Sequence, residues 1–330
     1  MQQKKVIAFV TGGYSGEAEI SYKSAITIGK NLDREKFDVY KIDIRKDGWF
    51  YLPETGDPVA VNQNGFIIEL PDKTIRFDAV LIGIHGTPGE DGKLQGYFDL
   101  QGLPYTSCDA ATSALTFNKR YTVAVAAFAG INVARSLHLF RERPLEPAAI
   151  LDQLKLPVFV KPNNGGSSIG MSKVSRPEDL EAAIQKAFGE DNQVLIEEFI
   201  TGREFTIGVF QSKGEIITLP FTEIIAKNEF FDFEAKYAGK SEEITPAQVD
   251  IVVAEKVREA ARKVYRVFNC RGIIRIDFIY NEAAGAPYML EINTVPGQSE
   301  ASIVPQQVRA MGWTLKDFYS ALIEDALEHK

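Results

Sequence analysis

The segment Lys161-Pro162-Asn163-Asn164-Gly165-Gly166-Ser167-Ser168-Ile169-Gly170 constrains the fold of this chain more than any other. It follows the apolar run Val158-Phe159-Val160 and leads into a second short run ending at Val174, so the pattern reads strand, glycine-rich loop, strand. Adjacent glycines and serines bring bare backbone N–H groups and hydroxyl donors together. Such a loop can fold over a polyphosphate, with Lys161 as a point charge. It is not a Walker loop, because the lysine precedes the glycines and no GK[ST] opens a helix. On its own the segment reads equally well as a flexible hairpin.

A second pattern lies over a hundred residues further on. From Gly272 to Phe278 apolar residues alternate with Arg275 and Asp277, and from Tyr288 to Asn293 they alternate with Glu291 and Asn293. Strand periodicity puts each pair on one face. If the strands pair, Asp277, Glu291 and Asn293 converge beside Arg275. Two carboxylates and an amide oxygen are hard ligands suited to Mg²⁺ shared with nucleotide phosphates. An ordinary half-exposed hairpin with a salt bridge fits the same residues.

The start of the chain reads as an α/β unit. Val6–Val10 is a buried strand that ends in the turn Thr11–Glu17, and a helix follows from about Glu19 to Asn31. Val39–Ile44 and Ala79–Ile84 read as further strands, giving a parallel sheet with ligands at the strand ends. The turn lacks GxGxxG spacing, which argues against a dinucleotide. Asn118–Ala129 is expected to be helical, with Val123, Ala127 and Phe128 on its apolar face. Lys119 at its N-terminus opposes the helix dipole, which hints at a bound anion. A helix is expected from Pro177 to Phe188. A long one is expected after Thr245 as cap and Pro246 as first residue, with another from Leu315 to Glu328. The polar stretch Phe221–Ser241 has no clear period and reads as a lid.

Composition narrows the partners. The 330 residues suit two or three packed subdomains, and the net charge of −8 disfavours a nucleic acid or anionic membrane. The N-terminal apolar run is too short for a signal peptide, and no run approaches a membrane span. Cys108 and Cys270 lack CxxC spacing and read as free thiols of a cytoplasmic protein.

Five motifs, in order, resemble the ATP-grasp superfamily and, within it, the D-alanine–D-alanine ligases. They are HGTPGEDGKLQG at His85–Gly96, KPNNGGSSIGMSKV at Lys161–Val174, EFTIGV at Glu204–Val209, FDFEAKY at Phe231–Tyr237, and RIDF with EINTVPG across Arg275–Gly297. The resemblance implies an N-terminal Rossmann-like α/β domain (1–108), then a central ATP-grasp subdomain (109–196). A C-terminal ATP-grasp subdomain (197–330) would carry the lid 221–241. The implied activity joins two D-alanines through an acyl phosphate, using ATP and two Mg²⁺ ions that Mn²⁺ can replace. It also implies a cytoplasmic homodimer. Lys119 and Lys161 would neutralise the α- and β-phosphates, and Ser167, Ser168 and Lys236 would close over the γ-phosphate. Glu197, Glu198, Phe199 and Ile200 would contact adenine and Glu204 the ribose. Asp277, Glu291 and Asn293 would hold the metal.

For the substrates, Glu17 would bind the first ammonium, with Ser167 and Tyr237 completing a triad, and His85 would lie near the first D-alanine. Arg275 and the Gly297 backbone would form the oxyanion site. Ser302 and Ile303 would hold the second carboxylate. Ala18, Gly165 and Gln298-Ser299-Glu300 depart from the family's usual residues. D-Serine or D-lactate as acceptor, or a non-catalytic nucleotide-binding regulator, are the other readings. Tyr237 counts against D-lactate, and the retained metal ligands and Arg275 count against a dead copy.

Overall fold

In the computed structural model, residues 3–143, 145–166, 169–226 and 241–329 are described. Among them the strands form three sheets. The first grows from the apolar run at the N-terminus. β1 (Lys5–Gly12) is followed by α1 (Ala18–Asn31) and β2 (Phe37–Arg45), and β1 runs parallel to β2. β3 (Gly48–Tyr51), β4 (Val59–Asn62), β5 (Ile67–Glu69) and β6 (Thr74–Ile75) extend that edge as an antiparallel meander. β7 (Ala79–Ile82) pairs parallel to β1 on its other side. Because β1 is covered on both faces, its residues from Ile7 onward are buried without alternation. Its C-terminal end and that of β7 therefore deliver the Gly12–Glu17 turn and the loop beginning at Gly83 to one edge of the sheet.

α2 (Lys93–Gln101), α3 (Ala110–Phe117) and α4 (Lys119–Phe128) follow. The expected apolar face of α4 is corrected by one position. Thr122, Val123 and Ala126 are buried, whereas Phe128 is 95% exposed, because as the last helical residue it has already rotated off the packed face.

The second sheet holds the glycine-rich loop. β8 (Ser136–Phe140), α5 (Pro147–Leu151), β9 (Val158–Pro162), β10 (Ser172–Val174), α6 (Leu180–Glu190) and β11 (Gln193–Glu198) give the antiparallel order β10-β9-β11-β8. Val158, Val160, Val194 and Ile196 pack on Leu180, Ile184 and Phe188. Strand alternation then turns Phe159, Lys161 and Glu197 to the opposite face.

The third sheet contains β12 (Arg203–Ser212), β13 (Glu215–Thr218), β14 (Thr222–Ala226), β15 (Ser241–Ile244), β16 (Ile274–Asn281) and β17 (Ala286–Asn293). One face packs Phe205, Ile207, Ile274, Ile276 and Phe278 on α7 (Ile251–Val267) through Val257, Ala261, Val264 and Tyr265. The start of α7 differs from expectation. Asp250 is its cap and accepts from the Val252 N–H at 2.7 Å, while the Thr245 hydroxyl is engaged with that of Thr222 at 2.6 Å. The helix therefore begins beyond Pro246. Cys108 and Cys270 are buried free thiols, and their mutual contact together with burial pushes the Cys270 thiol up.

The chain ends in α8 (Ile303–Ala310) and α9 (Leu315–Glu328). Phe318, Tyr319, Leu322 and Ile323 of α9 pack on Ile7 and Phe9 of β1, Leu81 of β7 and Phe210 of β12. Each such fully buried side chain contributes about 1.5–3 kcal/mol. The last helix thus fixes the first sheet against the third, and Val304 of the same cluster lines the candidate site.

Candidate functional site

β16 and β17 pair with Arg275 opposite Asn293 and Asp277 opposite Glu291. A register shift after Asp277 ends this arrangement, so the four polar residues share one face while Ile276 and Ile292 point into the core. On β12, Thr206 is paired opposite Asp277, and its hydroxyl donates to that carboxylate. Arg275 grips Asp277 in a fork of two bonds, 2.9 and 2.8 Å, and lies 3.7 Å from Glu291. Bidentate, part-buried pairs of this kind hold geometry well. The Asn293 side-chain oxygen accepts from the Val295 N–H at 3.2 Å, which begins the turn leading to Gly297. The donor set is two carboxylates and one amide oxygen in register on adjacent strands. It fits a hard divalent cation, and Arg275 supplies positive charge beside it.

Two cavities meet at this face. One, of about 380 Å³, is lined by Glu17, His85, Glu90, Arg275, Gly297 and Ser302, with Ile303 at its wall. The other, of about 480 Å³, lies between the second and third sheets and is lined by Phe159, Lys161, Glu197, Phe199 and Ile200. Glu204, Asp277, Glu291 and Lys119 border both.

In the second cavity Lys161 is paired with Glu197 at 2.5 Å, both side chains largely buried. Lys119 opens α4 and donates from Nζ to the Gly165 carbonyl at 2.6 Å, which ties it to the glycine loop. The N–H groups of Glu198 and Phe199 donate to the carbonyls of Arg135 and Pro157. The Glu198 carboxylate accepts from the Lys155 N–H at 2.9 Å. Of the contacts expected here for adenine, these two backbone donors and that carboxylate are thus engaged by protein. The Phe199 ring packs at a tilt against that of Phe159, with Lys173 over its face at 4.7 Å.

The first cavity draws on distant segments. Glu17 precedes the first turn of α1, and its carboxylate lies against backbone from two loops. A Cβ on Gly86, which has φ +65°, would collide with it, and a Cβ on Gly166 would lie 2.9 Å from it. Glycine at these positions lets both loops close on the carboxylate. His85 is buried. Its Nδ1 is 2.7 Å from the Val295 carbonyl and its Nε2 2.9 Å from the Ser24 hydroxyl. Burial, with the Arg275 charge acting in the same direction, pushes its pKa down to about 4.

Glu90 is also buried and accepts from the Gly86 N–H at 2.6 Å and the Val295 N–H at 3.3 Å. Burial, reinforced by Glu17, pushes its carboxyl up to about 8 despite those donors and Arg275. Gly297 sits close to Ser302, whose hydroxyl accepts from the Ser299 N–H at 3.0 Å and shares a 2.7 Å bond with the Ser299 hydroxyl. Ser302 precedes α8 and makes no side-chain cap bond to it. Ser167, Ser168, Lys236, Tyr237 and most of the expected lid lie outside the described residues.

The description "D-ala D-ala ligase N-terminus" matches residues 6–108, and "D-ala D-ala ligase C-terminus" matches residues 119–324. The chain belongs to the D-ala D-ala ligase family. The D-alanine–D-alanine ligase of Parabacteroides distasonis is 43% identical over 327 residues, covering 99% of each chain. That of Flavobacterium johnsoniae is 44% identical over 323 residues, covering 98% of this chain and 99% of the relative. Among solved structures, the VanG D-Ala:D-Ser ligase of Enterococcus faecalis superposes with a TM-score of 0.86 at 34% identity, covering 98% of this chain and 99% of that one. The D-alanine–D-alanine ligase of Bacillus anthracis complexed with ATP gives 0.78 at 26% identity, covering 98% of each. These neighbours have the ATP-grasp fold with an N-terminal domain, as expected from the motifs.

Four residues of this family member's site escaped the sequence reading. Glu90 stood inside the quoted HGTPGEDG motif, four positions after Gly86, and that spacing was its only signal. Ser24 and Thr206 carry none, being small polar residues in regular elements. Gln307 is fully buried in α8. It accepts from the Gly208 N–H and donates to the Thr206 carbonyl and the Thr222 hydroxyl. Its side chain bonds β12 where the pairing with β14 ends at Thr206 and before that with β13 begins at Val209, and so ties α8 to the strand that carries Thr206.

Proposed function

We propose that this chain joins two D-alanines into D-alanyl-D-alanine for peptidoglycan precursor synthesis, consuming ATP and releasing ADP and phosphate. The observation that carries the reading is the match of both halves of the ligase family to a chain that keeps Arg275, Asp277, Glu291 and Asn293 on one face. The ATP complex of the Bacillus anthracis ligase supports ATP as the nucleotide.

A carboxylate is a poor electrophile because its leaving group is an oxide. Attack of the first D-alanine's carboxylate oxygen on the γ-phosphorus releases ADP and makes an acyl phosphate. The amine of the second D-alanine then attacks the carbonyl carbon and loses a proton, and the C–O bond to phosphate breaks with its electron pair on phosphate. Both steps gather anions, so the protein's contribution is placement and charge neutralisation. Glu17 is read as the anchor for the first ammonium, supported by its carboxylate lying between two loop backbones at the cavity. Glu90, holding its proton at neutral pH, adds no second negative charge beside Glu17. Arg275 and the Gly297 N–H are read as stabilising the charge on the transferred phosphoryl group and the tetrahedral carbon, with His85 nearby. The start of α8 at Ser302 and Ile303, which the Ser302 side chain does not cap, suits the second carboxylate, since the N-terminal end of a helix attracts an anion.

Lys119 and Lys161 are read as phosphate ligands; Lys161 must then exchange Glu197 for the nucleotide. Glu197 to Ile200 are read as the adenine wall and Glu204 as the ribose contact. Two Mg²⁺ ions, or Mn²⁺, held by Asp277, Glu291 and Asn293 would neutralise the phosphate oxygens. The roles of Ser167, Ser168, Lys236 and Tyr237 stay as expected from the motifs. We further propose the three units 1–108, 109–196 and 197–330, a homodimer, and a cytoplasmic location, the last supported by two buried unpaired thiols.

Phosphate release from ATP, measured separately with D-alanine, L-alanine, D-serine and D-lactate and with products resolved by chromatography, tests the reading. Release with D-alanine and a D-Ala–D-Ala product are expected. A dominant D-Ala–D-Ser or D-Ala–D-Lac product in competition at neutral pH overturns the acceptor. No release with any of them overturns the activity.

A further inference from the structure

Ser24 lies on α1 and is completely buried. Its hydroxyl accepts from the Gln298 N–H at 3.0 Å and contacts His85 Nε2 at 2.9 Å. The other ring nitrogen faces the Val295 carbonyl at 2.7 Å. A carbonyl can only accept, so Nδ1 carries the ring proton. The neutral ring then has a lone pair at Nε2, and the hydroxyl proton of Ser24 goes to it. Every donor and acceptor in this set is used once. The ring therefore has no nitrogen left for a substrate atom.

The two ends of the relay grip the turn Val295-Pro296-Gly297-Gln298 on either side of Gly297. The Gln298 side chain adds bonds to the Pro296 carbonyl and the Tyr319 hydroxyl, so the C-terminal side of the turn is held from within the protein as well. The His85 N–H donates to Ser21 at 2.9 Å, which anchors the histidine's own backbone to α1. The charges around the ring favour its neutral form. Arg275 on β16 opposes protonation and Glu90 retains its proton at neutral pH, while the Glu17 carboxylate, the charge of opposite sense, lies against Gly86 and Gly166.

We propose that Ser24 and His85 are positioning residues: together they hold the Val295–Gln298 turn against α1, and so aim the Gly297 N–H, while the His85 ring neither binds substrate nor transfers a proton. The inference rests on the ligase reading for the purpose of that N–H, but the relay itself does not. It couples α1, which Glu17 immediately precedes, to the oxyanion turn, so the first substrate's ammonium and carbonyl ends are referenced to one rigid element.

Nitrogen NMR of the full chain labelled at its three histidines tests the relay without turnover. His85 is assigned by loss of its signals in His85→Gln. The Nδ1–H tautomer, unchanged from pH 6 to pH 8 with or without ATP and D-alanine, is expected (a window bracketing the ordinary histidine pKa of about 6.5). An Nε2–H tautomer, or titration in that window, overturns the proposal. Kinetics supply the second arm. Ser24→Ala should lower kcat by roughly tenfold or more with KM for ATP within about twofold, because a loosened donor costs transition-state stabilisation. His85→Asn, whose amide can replace the Nδ1 donor, should keep more kcat than His85→Ala. A raised KM for the first D-alanine at unchanged kcat in these variants would make His85 a direct substrate ligand and overturn the proposal. Wild-type inactivity with D-alanine would sink the ligase reading alone, since the tautomer would still answer for the relay.

Discussion

The two cavities solve the handling of charge differently. In the one between the second and third sheets, the principal ion pair, Lys161 with Glu197, joins neighbouring strands of a single sheet. In the other, Glu17, His85, Glu90 and Arg275 come from three separate segments, the turn before α1, the loop between β7 and α2, and β16, and two of them have pKa values far from the ordinary ones. A pair within a sheet keeps its partner when the surrounding loops shift. A cluster assembled from several elements is correct only while all of them are docked. The first arrangement suits a nucleotide held largely by shape and charge. The second suits a reaction that depends on where a few atoms point.

That contrast can be broken most severely at the wall the cavities share. Asp277→Asn and Glu291→Gln should each lower kcat by more than about a hundredfold while far-ultraviolet circular dichroism stays unchanged, because both remove charge from the face common to the two ligands. Near-normal turnover of either variant in saturating Mg²⁺ would remove the hairpin from the chemistry.

A smaller and more selective effect is expected from Gly86→Ala. The added methyl would strike the Glu17 carboxylate at a left-handed backbone position. KM for the first D-alanine should rise by roughly tenfold or more, with KM for ATP little changed. Equal rises in both constants would mean that the cavities are not independent.

The smallest effect sharpens the electrostatic half of the comparison. The Glu90 carboxyl is raised to about 8 from 4.5. Over that interval the folded state binds the extra proton, so this residue's contribution is full below about pH 4.5 and is lost as pH rises through 8. His85 acts in the opposite sense: its contribution is present above 6.5 and lost as pH falls through about 4. Between neutrality and pH 9 the Glu90 effect stands alone of the two. Thermal midpoints of Glu90→Gln should therefore fall less than those of the wild type across that range. Parallel curves would mean that Glu90 is already ionised at neutral pH.

The hairpin and the glycine loop were legible in the sequence because strand periodicity is local. Arg275 and Asp277 are two residues apart, as are Glu291 and Asn293, so the face they share follows from alternation once the strands pair. Helix ends were less secure. Pro246 looked like a first helical residue, but the fold used Asp250 as the cap because Thr245 was engaged with Thr222. Phe128 looked like core from its spacing alone and is solvent-exposed.

By itself, then, the sequence determined the family and the ATP-grasp architecture, through the resemblance of its five motifs, and the faces on which Arg275, Asp277, Glu291 and Asn293 stand, through strand period. Both are read over short stretches of chain. Only the tertiary structure decided how Ser24, His85 and Gln298 meet across more than two hundred residues, and how Gln307 of α8 bonds the backbone of β12. Only it decided that Glu90 keeps a proton and His85 does not take one up. No periodicity links such residues. Their hydrogen bonds and pKa values are set by which groups burial brings together and deprives of water, and that is known only once the sheets and the last helix have packed.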